Sequence, residues 1–301
     1  MAAEALTLRA FVLKRTVGML ATMLVVASVV FLVTNLIPGS VAAVMLGQEA
    51  TADEIRALDR QLGLDRPVLE KFAIWLGRLA RGNLGVSLYQ DKPVSVAIRE
   101  RLEPTLLLTT LAVVIALCVG LPLGVAAAVH HRTRVDLAAL LVSLLGISLP
   151  GFWLGMLLIL LFGLYLNVLP TAGYTSVRAD PWLTLQHLIM PAIASGFAQA
   201  GLIARMSRAN LLEVLRADYV RTARSKGLGE RLVIGKHALR NAMIPTLSVV
   251  GVTVALSLSG AVITESVFAI PGMGRLMVEA VRRRDFPMIQ GLVLVIAAGI
   301  A

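Results

Sequence analysis

The chain has 301 residues, 57% of them apolar and 15% charged, and its mean hydropathy of +0.83 lies far above the range of soluble globular proteins. Nine of its ten net positive charges fall in residues 1–15, 130–136 and 205–241. This composition predicts an all-α polytopic membrane protein and excludes a nucleic-acid-binding one. The single cysteine, Cys118, excludes an internal disulfide and a cysteine-rich metal site.

Long uncharged stretches predict six transmembrane helices, because about 20 apolar residues span a bilayer. The third stretch has 41 residues, and we interpret it as one long helix to about Asn167, kinked or tilted near Pro150. Its part before Pro150 is too short to cross alone. The last has only 16 residues, so the sixth helix is incomplete as given or the chain is truncated. The stretches are Thr16–Ile37, Thr105–Val129, Leu137–Val177, Trp182–Ala204, Asn241–Thr264 and Phe286–Ala301.

The basic segments alternate with neutral ones, which is the positive-inside pattern. It predicts that the N-terminus and residues 205–241 are cytoplasmic and that residues 38–103 form an extracytoplasmic helical segment. We treat residues 1–301 as a single transmembrane domain that contains both segments.

The segment 38–103 contains signals for two helices of its own. Thr51 and Glu54 have capping-box spacing, Gly63 is placed to end the first helix, and Pro67 suits the start of the second. The second helix has one apolar face. That face favours packing on the outer membrane surface or against the spans, and docking of a soluble binding protein is the alternative. Its residues are Val68, Phe72, Trp75, Leu76 and Leu79.

The spans offer little catalytic chemistry. The sequence has no phosphate-binding loop, no His-Glu-x-x-His and no Gly-x-Ser-x-Gly motif. Glu265 and His187 lie near span ends, where we expect them at the membrane interface. Gly120 and Gly124 have the spacing that lets helices approach closely, although chance gives such a spacing equally well in a chain with 25 glycines.

Residues 205–241 form a basic loop between the fourth and fifth spans. Its first apolar residues have helical spacing, Gly227 permits a sharp break, and Leu228–Leu239 predicts a second short helix. Such a loop suits insertion into a cleft on a partner, where the small Ala223 and Gly227 would allow close approach. A solvated basic loop that only sets orientation is the alternative. The spaced residues are Leu211, Leu212, Leu215, Tyr219 and Ala223.

The spacing Ala223-x-x-x-Gly227 in a helix–break–helix loop resembles the EAA loop of ABC-importer permeases. More narrowly, the sequence is similar to the dipeptide/oligopeptide (peptide/nickel) permease family, of the first-permease type. The general EAA pattern differs, because it has Glu at the position of Arg221 and Leu-Pro at Leu239-Arg240. The stretches that carry the narrower resemblance are Asp218–Leu228, His237–Pro245, Asn35–Gly39, Gly82–Gly85, Ser148–Pro150 and Glu265–Gly274.

The resemblance implies a type I ABC importer permease fold in the bacterial inner membrane. It also implies a heterodimer with a second permease, two cytoplasmic ATPase subunits and an extracytoplasmic solute-binding protein. The chain would then be no enzyme and hold no cofactor, since ATP and Mg²⁺ would bind the ATPases. The cargo would be di- or oligopeptides, or alternatively nickel complexes, glutathione or sugars.

The resemblance makes 205–241 the ATPase-coupling loop. A stand-alone secondary transporter, a membrane enzyme and a structural scaffold are the rival interpretations. The coupling residues it implies are Tyr219, Arg221, Ala223, Lys226, Gly227, Leu228 and Glu230.

Overall fold

The structure is a computed structural model that describes residues 2–36, 43, 46, 50–63 and 65–300. Those residues form helices joined by turns and by longer irregular segments such as 81–93 and 166–180, with one isolated β-bridge between Val86 and Pro93. The helices are α1 (Ala2–Leu36), α2 (Ala52–Leu62), α3 (Val68–Ala80), α4 (Val94–Val129), α5 (Arg134–Ser148), α6 (Gly151–Leu158) continued by a π-helix (Ile159–Tyr165), α7 (Pro181–Leu215), α8 (Asp218–Ser225), α9 (Glu230–Leu232) continued by a second π-helix (Val233–Ala238), α10 (Leu239–Val267), α11 (Met273–Arg283) and α12 (Phe286–Ile300).

Within the described residues, four helices are long and apolar enough to cross a membrane. They are α1, α4, α7 and the continuous helix Glu230–Val267. The bent pair α5 and α6 makes a fifth if it counts as one span. The apolar helix α12 is shorter, at 15 residues. The all-α multi-span prediction is confirmed, with the sixth helix short.

The third predicted span is broken more sharply than a kink. Helices α5 and α6 meet at an angle of 99°. Pro150 explains the break, because a proline disfavours the helical conformation of the residue before it, and Leu149 is extended with φ −82° and ψ 125°. The prediction of one long helix to about Asn167, kinked or tilted near Pro150, gives the place of the break correctly, but the break is a 99° bend between two helices.

The chain divides into two compact units, Leu102–Arg275 and Met1–Arg101 with Leu276–Ala301. In the Leu102–Arg275 unit, α7 packs against its neighbours at glycines. A Cβ atom on Gly120 would lie 2.7 Å from the carbonyl oxygen of Ala200, and one on Gly124 would lie 2.5 Å from that of Ala204. The close approach that the Gly120-x-x-x-Gly124 spacing predicts is confirmed.

The ends of the 205–241 segment are helical extensions of the spans. Helix α7 continues to Leu215, so the predicted amphipathic start of the loop belongs to the span. Residues after Glu230 likewise run through the second π-helix into α10. The predicted second short helix is thus the beginning of the fifth span, and the true loop covers only residues 216–229.

In the other unit, the predicted signals of the 38–103 segment are confirmed where the structure describes them. Thr51 and Glu54 form both hydrogen bonds of a capping box, and Gly63 ends α2 with φ +68°. The rings of Phe72 and Trp75 on α3 lie 5.1 and 5.4 Å from that of Phe31 on α1. The apolar face of α3 therefore packs against a span, as favoured.

The same unit contains a buried carboxylate that the sequence interpretation missed. Asp285 accepts hydrogen bonds from the Ser87 hydroxyl and, at 3.3 Å, from the Leu88 amide. It also accepts the Met288 amide at 3.3 Å, so it caps the start of α12. This side chain joins the turn before α4 to the last helix. Residues 37–39 of the Asn35–Gly39 signature lie outside the described residues.

The glycine contacts make a stability prediction. In Gly124→Ala the new methyl group would lie 2.0 Å from the Ser207 hydroxyl and 2.5 Å from a backbone oxygen. We expect a loss of about 1–3 kcal/mol, because the backbone of α7 must move away. Thermal unfolding of the purified chain in detergent measures it. Gly251→Ala is the matched control, since its methyl group meets nothing within 4 Å. Equal melting temperatures for the two variants would contradict the packing account.

Candidate functional site

Helix α8 (Asp218–Ser225) is the centre of the candidate site, and it is set off from α7 by a two-residue turn. Ala217 has an extended backbone, with φ −68° and ψ 147°, so the chain does not continue the α7 helix there. Asp218 then occupies the first turn of α8, where a negative charge interacts favourably with the helix dipole. The local sequence therefore folds as a short, separately oriented helix.

One side of α8 is buried against the ends of the spans. Val220 is fully buried and Ala223 is 8% exposed. Their neighbours come from α4, α7, the second π-helix and α10, so the short helix is fixed to four elements. The small Ala223 therefore serves the packing inside this chain. The cluster consists of Ala128, Leu211, Val220, Ala223, Val233, Ala238 and Ala242.

The turn after α8 is a Schellman motif built on Gly227. The Gly227 amide donates to the carbonyl oxygen of Arg224 at 2.9 Å, and the Leu228 amide donates to that of Ala223 at 3.4 Å. Gly227 has φ +76°, a left-handed conformation that favours glycine, and a Cβ atom there would meet nothing within 4 Å. The predicted break is confirmed.

An ion pair spans this turn. The Arg224 guanidinium donates to both oxygens of Glu230, at 2.6 and 3.2 Å, and this contact raises the pKa of Arg224. Glu230 is among the coupling residues that the family resemblance implies, but Arg224 is not. The six-residue separation across a glycine turn matches no helical spacing, so no local pattern pointed to the pair.

The outer side of the loop presents the remaining predicted residues to solvent. Lys226 ends α8, and Arg221 lies 3.9 Å from Asp218. The Tyr219 hydroxyl accepts a hydrogen bond of 2.8 Å from Asn241 on α10, which fixes its ring. The exposed apolar side chains of this region are together called the loop knob. It consists of Tyr219, Leu228 and Leu232, which are 43%, 36% and 45% exposed.

The structure thus divides the predicted site residues into two groups. Ala223 is buried in the cluster described above, and the other six are exposed: Tyr219, Arg221, Lys226, Gly227, Leu228 and Glu230. Leu232 and Asn241 belong to the site but were missed. Both lie on the continuous helix that begins at Glu230 and runs into α10, whereas the sequence predicts a separate short helix there.

A second cluster of polar contacts involves Glu265 and Gly272 of the Glu265–Gly274 stretch. Glu265 lies in the last turn of α10, at a span end as predicted, and its side chain is fully buried within the protein. Its carboxylate accepts hydrogen bonds from the Thr105 hydroxyl at 2.5 Å and the Arg275 amide at 2.9 Å. A Cβ atom on Gly272 would lie 2.1 Å from that carboxylate, which leaves room for glycine only. The cluster ties α4, α10 and the start of α11 together.

The chain belongs to the family of binding-protein-dependent transport system inner membrane components. The model of that family matches residues 120–301. The model of the N-terminal part of such membrane components matches residues 8–109. The chain is therefore a membrane-embedded permease of a binding-protein-dependent transport system, and the predicted family is confirmed.

Similar proteins carry transport names. A peptide transport system permease protein of Brucella suis is 41% identical over 285 residues, which are 95% of this chain and 91% of that protein. A glutathione transport system permease protein of Salmonella typhimurium is 42% identical over 284 residues, covering 94% and 90%. These relatives are transport permeases and not enzymes.

The fold is also similar to a solved structure. The MetNI methionine ABC transporter, in an inward-facing crystal form, contains a chain that matches 68% of this one with a TM-score of 0.54. That match covers 92% of the transporter chain at 16% sequence identity. At this identity the likeness establishes the fold, which is that of a type I importer permease.

The burial of Ala223 makes a prediction for this chain by itself. Ala223→Leu should lower the free energy of unfolding by about 1–3 kcal/mol, because the larger side chain overpacks the cluster. Thermal unfolding of the isolated chain tests this without any partner. Ser225→Leu, at an exposed position of the same helix, is the control and should unfold like the parent chain. An unchanged Ala223→Leu would show that the position is open in the free chain.

Proposed function

We propose that this chain is one permease subunit of an ATP-driven importer and that its 205–241 segment couples it to cytoplasmic ATPases through the 216–229 loop. In this proposal a second permease completes a heterodimer and the translocation pathway. Two ATPase subunits supply the energy, with ATP and Mg²⁺ bound there, and an extracytoplasmic solute-binding protein delivers the cargo. The chain itself forms and breaks no covalent bond.

The single observation that carries this proposal is the construction of the loop. A partner that pushes on a loop moves the spans only if the loop is rigid. Here the buried cluster, the Schellman turn and the Arg224–Glu230 pair hold α8 in place. The loop knob remains exposed on the other side. A loop that merely set membrane orientation would need the charges but not this construction.

The coupling would follow population-shift logic. Closure of an ATPase dimer would favour one of two arrangements of the permeases, and it would do so through rigid-body displacement of the loop. The loop knob would sit in a cleft of the ATPase, with the basic side chains around it. Gly227 would permit close approach, because its Cα carries no side chain at the outermost point of the turn.

Charge and aromatic placement support a cytoplasmic loop and a cytoplasmic N-terminus. The loop region 205–241 carries nine basic and three acidic residues. Tyr165 and Trp182, both highly exposed, lie at the ends of spans opposite to the loop. Tyrosine and tryptophan are common at membrane–water interfaces, so they suit the extracytoplasmic boundary.

We propose di- or oligopeptides as the cargo class. The relatives named above for peptide and glutathione transport both handle molecules with amide backbones. Such cargo can be bound through polar contacts to its amide groups, without contacts to its side chains. Selection would then lie mainly with the solute-binding protein, and nickel complexes or sugars would fail to compete with peptides in its binding assay.

The proposed orientation makes a labelling prediction. Because Cys118 is the only cysteine, Cys118→Ser gives a cysteine-free background. In that background Ser225→Cys should react with an impermeant maleimide only after the cytoplasmic side is opened. Ala57→Cys on α2, also exposed, should react in intact spheroplasts. The reverse pattern would overturn the orientation.

The coupling role predicts the behaviour of Gly227→Asp. Aspartate tolerates a left-handed φ better than most residues, and the position is open, so the isolated chain should remain stable. A charge and added bulk at the contact should lower transport, and ATPase stimulation by loaded binding protein, by about tenfold, corresponding to ~1.4 kcal/mol. Both are measured in the reconstituted complex.

Gly82→Asp is the matched control for backbone strain. Gly82 has φ +75° and is equally open, but it lies outside the loop. The two variants should have similar melting temperatures. Unchanged transport and stimulation in Gly227→Asp would mean that the loop does not couple the ATPases to the spans.

A further inference from the structure

A buried ion pair lies beside the base of the loop. Asp136, at the start of α5, is 4% exposed. Arg208 on α7 donates to both of its carboxylate oxygens, from Nε at 2.6 Å and from a terminal nitrogen at 2.8 Å. Such a bidentate pair fixes the orientation of both partners as well as their separation. We call it the α5–α7 clamp.

The turn between α4 and α5 is drawn into the same clamp. The Arg132 amide donates to Asp136 at 2.9 Å, and the His131 ring nitrogen Nδ1 lies 3.1 Å from the same oxygen. Arg132 has φ +64°, an uncommon conformation for a residue with a side chain. The Asp136 carboxylate therefore contacts both the turn between α4 and α5 and helix α7.

The α5–α7 clamp lies one helical turn from the cluster that holds α8. Leu211, which follows Arg208 on α7, packs in that cluster together with Ala128 near the end of α4. The elements on either side of the 130–133 turn are therefore connected to the loop by two different contacts. One is apolar and non-directional, and the other is a directional ion pair.

These two contacts differ in what they can transmit. Apolar contacts are non-directional, whereas a bidentate, hydrogen-bonded pair has one favourable geometry. Helix α5 begins the broken span, which reaches its 99° bend at Pro150. A displacement of the loop moves this bent span through α7 only if α5 keeps a fixed position along α7.

We propose that Asp136 and Arg208, which lie outside the 216–229 loop, are positioning residues for coupling: they make the bent span α5–α6 move with that loop. This inference rests on the proposed function, because it assigns a path to the force that the loop receives. Loss of the clamp leaves the loop able to bind an ATPase. It removes the registered contact through which that binding changes the spans.

The test compares Asp136→Asn, Arg208→Ala, the milder Arg208→Lys, and the double exchange Asp136→Arg with Arg208→Asp in the reconstituted complex. The readouts are the amount of assembled complex and the cargo transported per ATP hydrolysed. The single variants should assemble and lower the cargo-to-ATP ratio about threefold or more. The cargo-to-ATP ratio of Arg208→Lys should lie between those of the parent and of Arg208→Ala. The double exchange should recover part of the lost ratio. Arg205→Ala, an exposed arginine on the same helix, is the control and should keep it.

A purely structural role gives a different result. It lowers the amount of assembled complex, while the complexes that remain keep the parent ratio, and that outcome overturns the proposal. Failure of even Arg208→Lys to assemble overturns it as well, because the clamp is then a folding element. Gly227→Asp is measured in parallel. If it uncouples while the clamp variants do not, the clamp proposal fails and the coupling loop stands. If neither uncouples, both fail.

Discussion

Backbone contact between α7 and its neighbours is the constraint on which the rest of the Leu102–Arg275 unit depends. In a bilayer the hydrophobic effect does not drive helices together, because lipid tails are as apolar as the side chains. Helices therefore associate through close packing and hydrogen bonds. Gly196 and Gly201 of α7 each leave only enough room for a neighbouring carbonyl oxygen, with Cβ positions 2.6 Å from Ala112 and Ser143. Helices α4 and α5 can therefore contact α7 along its length.

Polar contacts then fix the helices at defined positions along one another. Between α7 and α10 three side-chain hydrogen bonds occur at successive depths, with donor–acceptor distances of 2.8 to 3.1 Å. The Glu265 cluster and the α5–α7 clamp do the same at the ends of the spans. Directional groups of this kind restrict how the helices can shift along one another. The hydrogen-bonded pairs are Ser195–Thr264, Gln199–Ser257 and Asn210–Thr246.

Much of this fold could be predicted from the sequence because its signals are local. Uncharged length gives the spans, Thr51 with Glu54 gives a helix start, and Gly227 gives a helix end. The break at Pro150 was visible, but its angle was not, because a proline only removes the helical option for Leu149 and packing selects the new direction. Local signals also failed where helices continue past a polar stretch, as α7 does to Leu215.

The buried charges could not be predicted, because they depend on residues far apart in the sequence. Asp136 and Arg208 are 72 positions apart, and Asp285 and Ser87 are 198 apart. Counting charges placed Asp136 in a basic loop and Glu265 at an interface, since both lie beside apolar stretches. Their burial becomes evident only when the facing helix is known. The same holds for Ala223, whose small size fits either a partner or, as found, the chain's own core.

In the proposed function the loop knob is the contact with an ATPase, and crosslinking tests this most directly. A photo-reactive amino acid at Leu228 should, on illumination of the assembled complex in membranes, give an adduct that contains the ATPase subunit. The same amino acid at Arg78 on α3 should give no such adduct. An adduct of Leu228 with the solute-binding protein, or with lipid alone while the ATPase is bound, would contradict the account.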